Sequence, residues 1–295
     1  MHLPSLRIVM TFVAAWILLG EGSAQAWTQD SPAPPTTAED SDPAASPRQP
    51  RARTEEEFTE YQRFMRETDP DAQIQLIDDF LLHYPDSELR EYAFQAATQA
   101  FQVKNDFSAV LTYGELTLGE NEDNLVALLI LASAIPERTS RNDPEREENL
   151  IQAEEYALRI LDLLPRMPQP VGATPARWEQ TKRESAATAH AALGMVNLIR
   201  EDFFQAESEF KLSSELASEP DPVTFYRLGL SYSFQNKYDQ ALEALERADA
   251  AGGVNVGSPG QTRDLVAEAR DFVLQSQEAA GNPGAGSQLP YPPAQ

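Results

Sequence analysis

The chain has 295 residues, and 23 Lys and Arg face 47 Asp and Glu, which gives a formal net charge of −24. This charge argues against binding to nucleic acid and directly to anionic membranes, because both need basic residues that neutralise phosphates. The chain has no cysteine, which excludes disulfides, thiolate metal sites and cysteine nucleophiles.

The first 26 residues have the three parts of a secretory signal peptide. Arg7 gives the basic start, residues 8–20 are apolar, and 24–26 form a small-residue cleavage site. The apolar run is shorter than the ~20 residues of a spanning helix, so an uncleaved anchor is the less favoured alternative. We expect a mature protein in the periplasm or outside the cell. Residues 27–53, rich in Pro, Ala and Ser, predict a disordered tether.

Three helical hairpins are predicted between residues 54 and 165. Asp69-Pro70 combines an N-cap residue with a proline at the first helical position, so it marks a helix start. Residues 86–118 predict the second hairpin. The third begins with an apolar helix at 125–135, which Pro136 is expected to stop, and has an insertion near 137–142. Two apolar faces are predicted, one with Phe58, Tyr61, Phe64 and Met65, the other after Asp143-Pro144 with Ile151, Ala153, Ala157, Ile160 and Leu164.

A Pro-rich linker at 166–174 precedes the clearest repeats, which lie within 175–251 at about 187–220 and 222–251. Six positions of the first repeat recur 35 residues later in the second. Each copy has two apolar runs at helical spacing around a polar turn, which predicts a helical hairpin. The matching pairs are Leu193 with Leu228, Gly194 with Gly229, Asn197 with Tyr232, Phe203 with Tyr238, Ala206 with Ala241 and Phe210 with Leu245.

Small residues in the two repeats are expected where the helices cross closely, with larger apolar residues filling the space around them. The repeat-packing positions are Leu193, Gly194, Ala206, Phe210, Leu228, Gly229, Tyr232, Ala241 and Leu245. After the repeats, residues 252–279 predict a break followed by a capping helix, and residues 280–295 a disordered tail.

The second repeat resembles the tetratricopeptide repeat (TPR), whose pattern is aromatic-x2-Leu-Gly-x2-Tyr followed by Ala-x3-Phe. The matching residues are Phe225, Leu228, Gly229, Tyr232, Ala241 and Leu245. The resemblance implies an all-α, right-handed superhelical solenoid of helix-turn-helix hairpins with a C-terminal capping helix. The stretch from Phe80 to Leu89 is similar to a phrase of envelope-associated TPR proteins, so we expect the exported bacterial type.

The sequence offers little for acid-base or metal chemistry. Of the two histidines in the mature chain, His83 ends a predicted helix and His190 occupies an aromatic position of the repeat. The acidic turn at 120–124 lacks the glycine and terminal glutamate of a calcium-binding loop. Many carboxylates precede a base by four residues, as Glu155 precedes Arg159, which is usual on exposed helices. We therefore expect no catalytic residue, no metal site and no cofactor.

The resemblance implies a protein or peptide partner in the cell envelope. The inward-facing positions are apolar, so we expect a partner with apolar anchors in a neutral or basic segment. Inter-repeat core is the equal alternative for these residues. The candidate partner-binding residues are Met195, Ile199, Tyr226, Leu230 and Phe234.

The favoured function is that of a non-enzymatic protein-interaction scaffold of the cell envelope. One alternative is an accessory factor that assembles outer-membrane or peptidoglycan machinery. Another is a helical carbohydrate-active hydrolase, which needs two carboxylates in one cleft about 5 to 10 Å apart.

Overall fold

The structure, a computed structural model, describes residues 51–140, 142–170, 172–258 and 261–281. The described part contains eleven helices and one two-stranded sheet, and the helices pack in consecutive pairs, which confirms the predicted all-α class. The predicted signal peptide, most of the predicted tether and nearly all of the predicted tail lie outside the described residues. The helices divide between two compact units, which are described in turn.

The first unit contains two helical hairpins. Its helices are α1 (Glu55–Arg66), α2 (Pro70–His83), α3 (Arg90–Val103) and α4 (Phe107–Glu120). Each helix packs against the next along the chain. The core centres on Phe64, Ile77 and Phe80, which are fully buried, and the rings of Phe64 and Phe80 meet edge to face with centroids 5.2 Å apart.

The buried side of α1 differs from the predicted apolar face. Phe64 is buried, but Phe58 and Met65 are 46% and 40% exposed. Glu57 takes up part of the buried side, because its carboxylate accepts hydrogen bonds from the Ser87 hydroxyl and from the backbone amide of Arg53. A carboxylate with such partners can be buried, so the apolar pattern alone does not give the phase of α1.

The second unit contains three helical hairpins and a final helix. Its helices are α5 (Leu125–Arg138), α6 (Arg146–Leu163), α7 (Pro175–Ile199), α8 (Phe203–Leu216), α9 (Pro222–Phe234), α10 (Tyr238–Ala250) and α11 (Leu265–Gly281). Among the first helices of the hairpins, α5 contacts α7, and α7 contacts α9. The second helices, α6 and α8, pack against the first helix of the next hairpin. The unit therefore has a layer of first helices and a layer of second helices.

Three hairpins turn in the same way. Asn105, Glu201 and Asn236 have φ values of 56°, 65° and 60°, which is the left-handed conformation that ends many helices. In each turn the backbone amide of the following residue donates a hydrogen bond to the carbonyl oxygen five residues before it. These bonds join Asp106 to Phe101 (3.0 Å), Asp202 to Asn197 (2.9 Å) and Lys237 to Tyr232 (3.0 Å). The 35-residue spacing of Glu201 and Asn236 is the spacing that the sequence repeat gives.

The connection between α5 and α6 differs from the prediction. Helix α5 continues through Pro136 to Arg138, so the expectation that Pro136 stops it was wrong. A proline removes one backbone bond but holds a helical φ, and the amide of Thr139 bonds to the carbonyl of Ile135 at 3.1 Å to close the last turn. Helix α6 begins at Arg146 rather than at the Asp143-Pro144 pair. The Asp143 carboxylate accepts a hydrogen bond from the backbone amide of Glu145 at 3.0 Å.

A small antiparallel hairpin lies where the sequence predicts only a break. Its strands are β1 (Asn255–Ser258) and β2 (Gln261–Asp264). Gly257 has φ +124°, and a Cβ there would lie 2.2 Å from the carbonyl oxygen of Gln261, so only glycine fits this close approach. Helix α11 follows and packs against α9 and α10. It contributes Val266, Ala269 and Val273 to the core.

Candidate protein-interaction surfaces

The repeat-packing positions lie inside the second unit. A Cβ on Gly194 would lie 2.7 Å from the ring of Phe210, and one on Gly229 would lie 2.9 Å from Cγ of Leu245. The two glycines therefore occupy equivalent crossings, α7 with α8 and α9 with α10. All nine positions are buried: Leu193, Gly194, Ala206, Phe210, Leu228, Gly229, Tyr232, Ala241 and Leu245.

The candidate partner-binding residues belong largely to the same core. Met195, Tyr226 and Leu230 are 7%, 7% and 2% exposed, and burial raises the pKa of Tyr226 to about 12. Ile199 and Phe234 are half-buried and pack against that core. The Phe234 ring also stacks on Phe203, with centroids 4.5 Å apart. These contacts favour the inter-repeat core over a groove, because a partner cannot reach side chains that neighbouring helices cover.

Cations on the first-helix layer are neutralised within the unit. Arg227 of α9 pairs with Glu137 of α5, and both side chains are largely buried. Arg200, at the end of α7, binds Glu147 at 2.8 Å and Glu154 at 2.7 Å. The Arg227 pair links the first and third hairpins of the unit, and the Arg200 pairs link the first and second. The guanidinium groups of Arg200 and Arg227 are therefore already paired with carboxylates of this unit.

A buried carboxylate joins the last two hairpins. Glu207 of α8 is 7% exposed and accepts hydrogen bonds from Lys211 (2.5 Å), Lys237 (2.6 Å) and Gln235 (2.9 Å). Burial alone would raise the pKa of Glu207, but these hydrogen bonds, first that of Lys211, lower it to about 2. Both ammonium groups also lie near the Tyr232 ring, at 5.2 and 5.8 Å from its centroid.

The titratable groups considered for chemistry are engaged in pairs. His190 Nδ1 lies 2.7 Å from Glu209, and His83 Nδ1 lies 3.3 Å from Glu60. Within the described ranges no three His, Asp or Glu residues are grouped so that they could hold a metal ion. Side chains of the acidic turn at 120–124 form structural contacts. Glu120 pairs with Arg90, Asp123 pairs with Arg159, and Asn124 caps α5.

Large apolar side chains are exposed on the helix surfaces. In the second unit most of them lie on the second helices, Ile151 and Leu158 on α6 and Phe204 and Leu212 on α8. The sequence placed Ile151 on the buried stripe of α6, and this was wrong, because Leu150, Ala153, Ala157 and Ile160 fill that stripe. The exposed set is Phe58, Met65, Leu82, Val103, Leu116, Ile151, Leu158, Phe204, Leu212 and Leu274.

Known proteins resemble this chain at the level of solved structures. None of the helices in the described part of the chain has the length and apolar character needed to cross a membrane. No protein-family model matches the chain, and no curated protein is similar to it. Among solved structures, the chain is similar to a thermophilic TPR protein of Thermus thermophilus, with 16% identity and a TM-score of 0.44, over 75% of this chain and 94% of that one.

Proposed function

We propose that the chain is a non-enzymatic protein-interaction scaffold of the cell envelope. The observation that carries the proposal is the exposed apolar surface of α6 and α8. Phe204 and Leu158 are 67% and 52% exposed, although each of the two helices also buries apolar side chains on its other face. Single exposed apolar residues are ordinary, but pairs of them on helices of repeated hairpins fit a surface that receives another protein.

The envelope setting rests on the sequence. Residues 1–26 have the pattern of a signal peptide, and cleavage after Ala26 gives a mature chain that begins at Trp27. The net charge of −24 favours a neutral or basic protein partner over an acidic one. It equally disfavours nucleic acid and anionic lipid.

Cross-linking in intact cells tests this function. A photoreactive amino acid is placed at Leu116, Leu158 or Phe204, one position per cell strain, and the cells are irradiated before lysis. We expect adducts of defined mass from an envelope fraction, and an intact mass that starts at Trp27. A chain that retains residues 1–26 contradicts export. A chain that gives no adduct at any of the three positions contradicts the scaffold function.

A further inference from the structure

One face of α6 repeats a short pattern after seven residues. Glu148 precedes Ile151 by three residues, and Glu155 precedes Leu158 by three residues. Seven residues correspond to nearly two turns and about 10.5 Å along a helix. Ile151 and Leu158, 45% and 52% exposed, therefore project from the same side. We call these four residues the α6 stripe.

The carboxylates of the α6 stripe differ from the others on the helix. Glu147 and Glu154 bind Arg200, and Asp162 binds Arg166. Arg159, which the sequence pairs with Glu155, instead donates two hydrogen bonds to Asp123, at 3.0 and 2.7 Å.

Among the described residues no cation pairs with Glu148 or Glu155, and both are exposed. The unpaired carboxylates are thus the two that lie beside the exposed apolar side chains. This coincidence points to a partner that supplies both apolar surface and positive charge.

We propose that the α6 stripe binds a basic amphipathic helix of a partner protein. The inference deepens the proposed scaffold function and rests on it. A helix is the fitting shape, because its own apolar residues recur every seven positions and match the spacing of Ile151 and Leu158. Lysine or arginine beside those residues would meet Glu148 and Glu155. A second copy of this chain is a poor occupant, since two molecules of charge −24 repel each other.

A designed peptide tests the α6 stripe directly. The probe is a fluorescent helix of about three heptads with leucine at the two core positions and lysine at the flanking ones, and a version with glutamate in place of lysine is the comparison. We expect the lysine peptide to bind, with an affinity that falls as salt is raised, and the glutamate peptide to show no binding. Fluorescence anisotropy measures both.

Two double variants separate the apolar and the charged contributions. Ile151→Ser with Leu158→Ser should weaken binding of the lysine peptide by at least about tenfold, because it removes the buried apolar contact. Glu148→Gln with Glu155→Gln should weaken it about tenfold and flatten the salt dependence. All four residues are exposed, so the circular-dichroism spectrum and the melting temperature should stay close to those of the unchanged protein.

Matched variants control for general effects. Leu116→Ser removes a side chain of similar exposure, 41%, from the first unit. Glu243→Gln with Glu246→Gln removes the same charge from exposed positions of α10. Both should leave peptide affinity unchanged within twofold.

Equal losses in control and stripe variants would overturn the inference, since binding would then be non-specific. Self-association that disappears in the Ile151→Ser, Leu158→Ser variant would overturn it too, because the occupant would be a second copy. Cross-links in cells at Phe204 or Leu116, together with no effect of the stripe variants on the peptide, would overturn the inference and leave the scaffold function standing.

Discussion

Alanine at Gly194 tests the closest helix crossing in the second unit. Its Cβ would lie 2.7 Å from both Cδ1 and Cε1 of Phe210 and 2.9 Å from Cζ. Real side chains do not approach so closely. Phe210 is fully buried, so its ring cannot rotate into solvent, and α7 and α8 must move apart.

The expected effect combines two opposing contributions. Overpacking costs about 1–3 kcal/mol, and a Cβ 2.7 Å from a fully buried ring belongs to the upper part of that range, about 2–3 kcal/mol. Replacing a helical glycine with alanine gains about 1 kcal/mol of helix propensity. We expect Gly194→Ala to lower the free energy of unfolding by about 1–2 kcal/mol. For a domain of this size that corresponds to a fall of roughly 2–8 °C in melting temperature. Calorimetry together with urea denaturation followed by circular dichroism measures it.

Gly119 provides the matched control for Gly194. It also lies in a helix, but a Cβ there would have no atom within 4 Å, so Gly119→Ala should be neutral or stabilising by up to about 1 kcal/mol. A Gly194→Ala protein as stable as the unchanged chain would refute the crossing argument. Adding Phe210→Leu to Gly194→Ala should recover part of the loss, because a smaller side chain relieves the overlap.

Three further predictions follow from single residues. Glu201→Asn should raise the melting temperature, by a gain of about 0.5–1 kcal/mol, because asparagine tolerates the φ of 65° better than glutamate does. Glu207→Gln should cost about 3 kcal/mol at neutral pH. Since the pKa of Glu207 lies at about 2, below its ordinary 4.5, the carboxylate stabilises the fold above pH 4.5 and loses this contribution as pH falls towards 2. Urea midpoints across that range should therefore depend less on pH in the glutamine variant, and parallel curves would contradict the assignment. Gly257→Ala should disrupt the β1–β2 hairpin while leaving the helical signal intact, which backbone chemical shifts would show.

The helical hairpins could be predicted because sequence spacing and local geometry agree. The pairing of Gly194 with Gly229 over 35 residues specifies two equivalent crossings. An Asp or Thr followed by Pro places the start of three helices, although the Asp143-Pro144 pair does not start α6. Helices α2, α7 and α9 begin at Pro70, Pro175 and Pro222. These signals act within one or two turns of the chain, where the backbone conformation depends on few neighbours.

The surface could not be predicted to the same degree. Ile151 lies beside Leu150, and an apolar pattern cannot decide which of two adjacent residues faces the core. The structure buries Leu150 and exposes Ile151. Similarly, Arg159 has Glu155 four residues before it, but pairs with Asp123, 36 residues away. The unpaired carboxylate of the α6 stripe follows from that tertiary choice.

The β1–β2 hairpin was missed for a different reason. Each strand has four residues, and residues 261–264 are exposed throughout, so no alternation of apolar and polar residues marks them. Gly252 and Gly253, which precede the strands, predict only a break. Gly257 is needed because a Cβ there would overlap the carbonyl oxygen of Gln261. This requirement can be recognised only when the pairing of the two strands is known.

The position of α11 bears on how this chain can evolve. With Val266, Ala269 and Val273 it covers a surface of the α9–α10 hairpin that a further hairpin would otherwise occupy. A tandem duplication of residues 217–251, one 35-residue period of the repeat, would place the new copy between two surfaces that already accept such a hairpin. The gene can therefore gain or lose a 35-residue unit by unequal recombination while the same final helix continues to shield the apolar end from water.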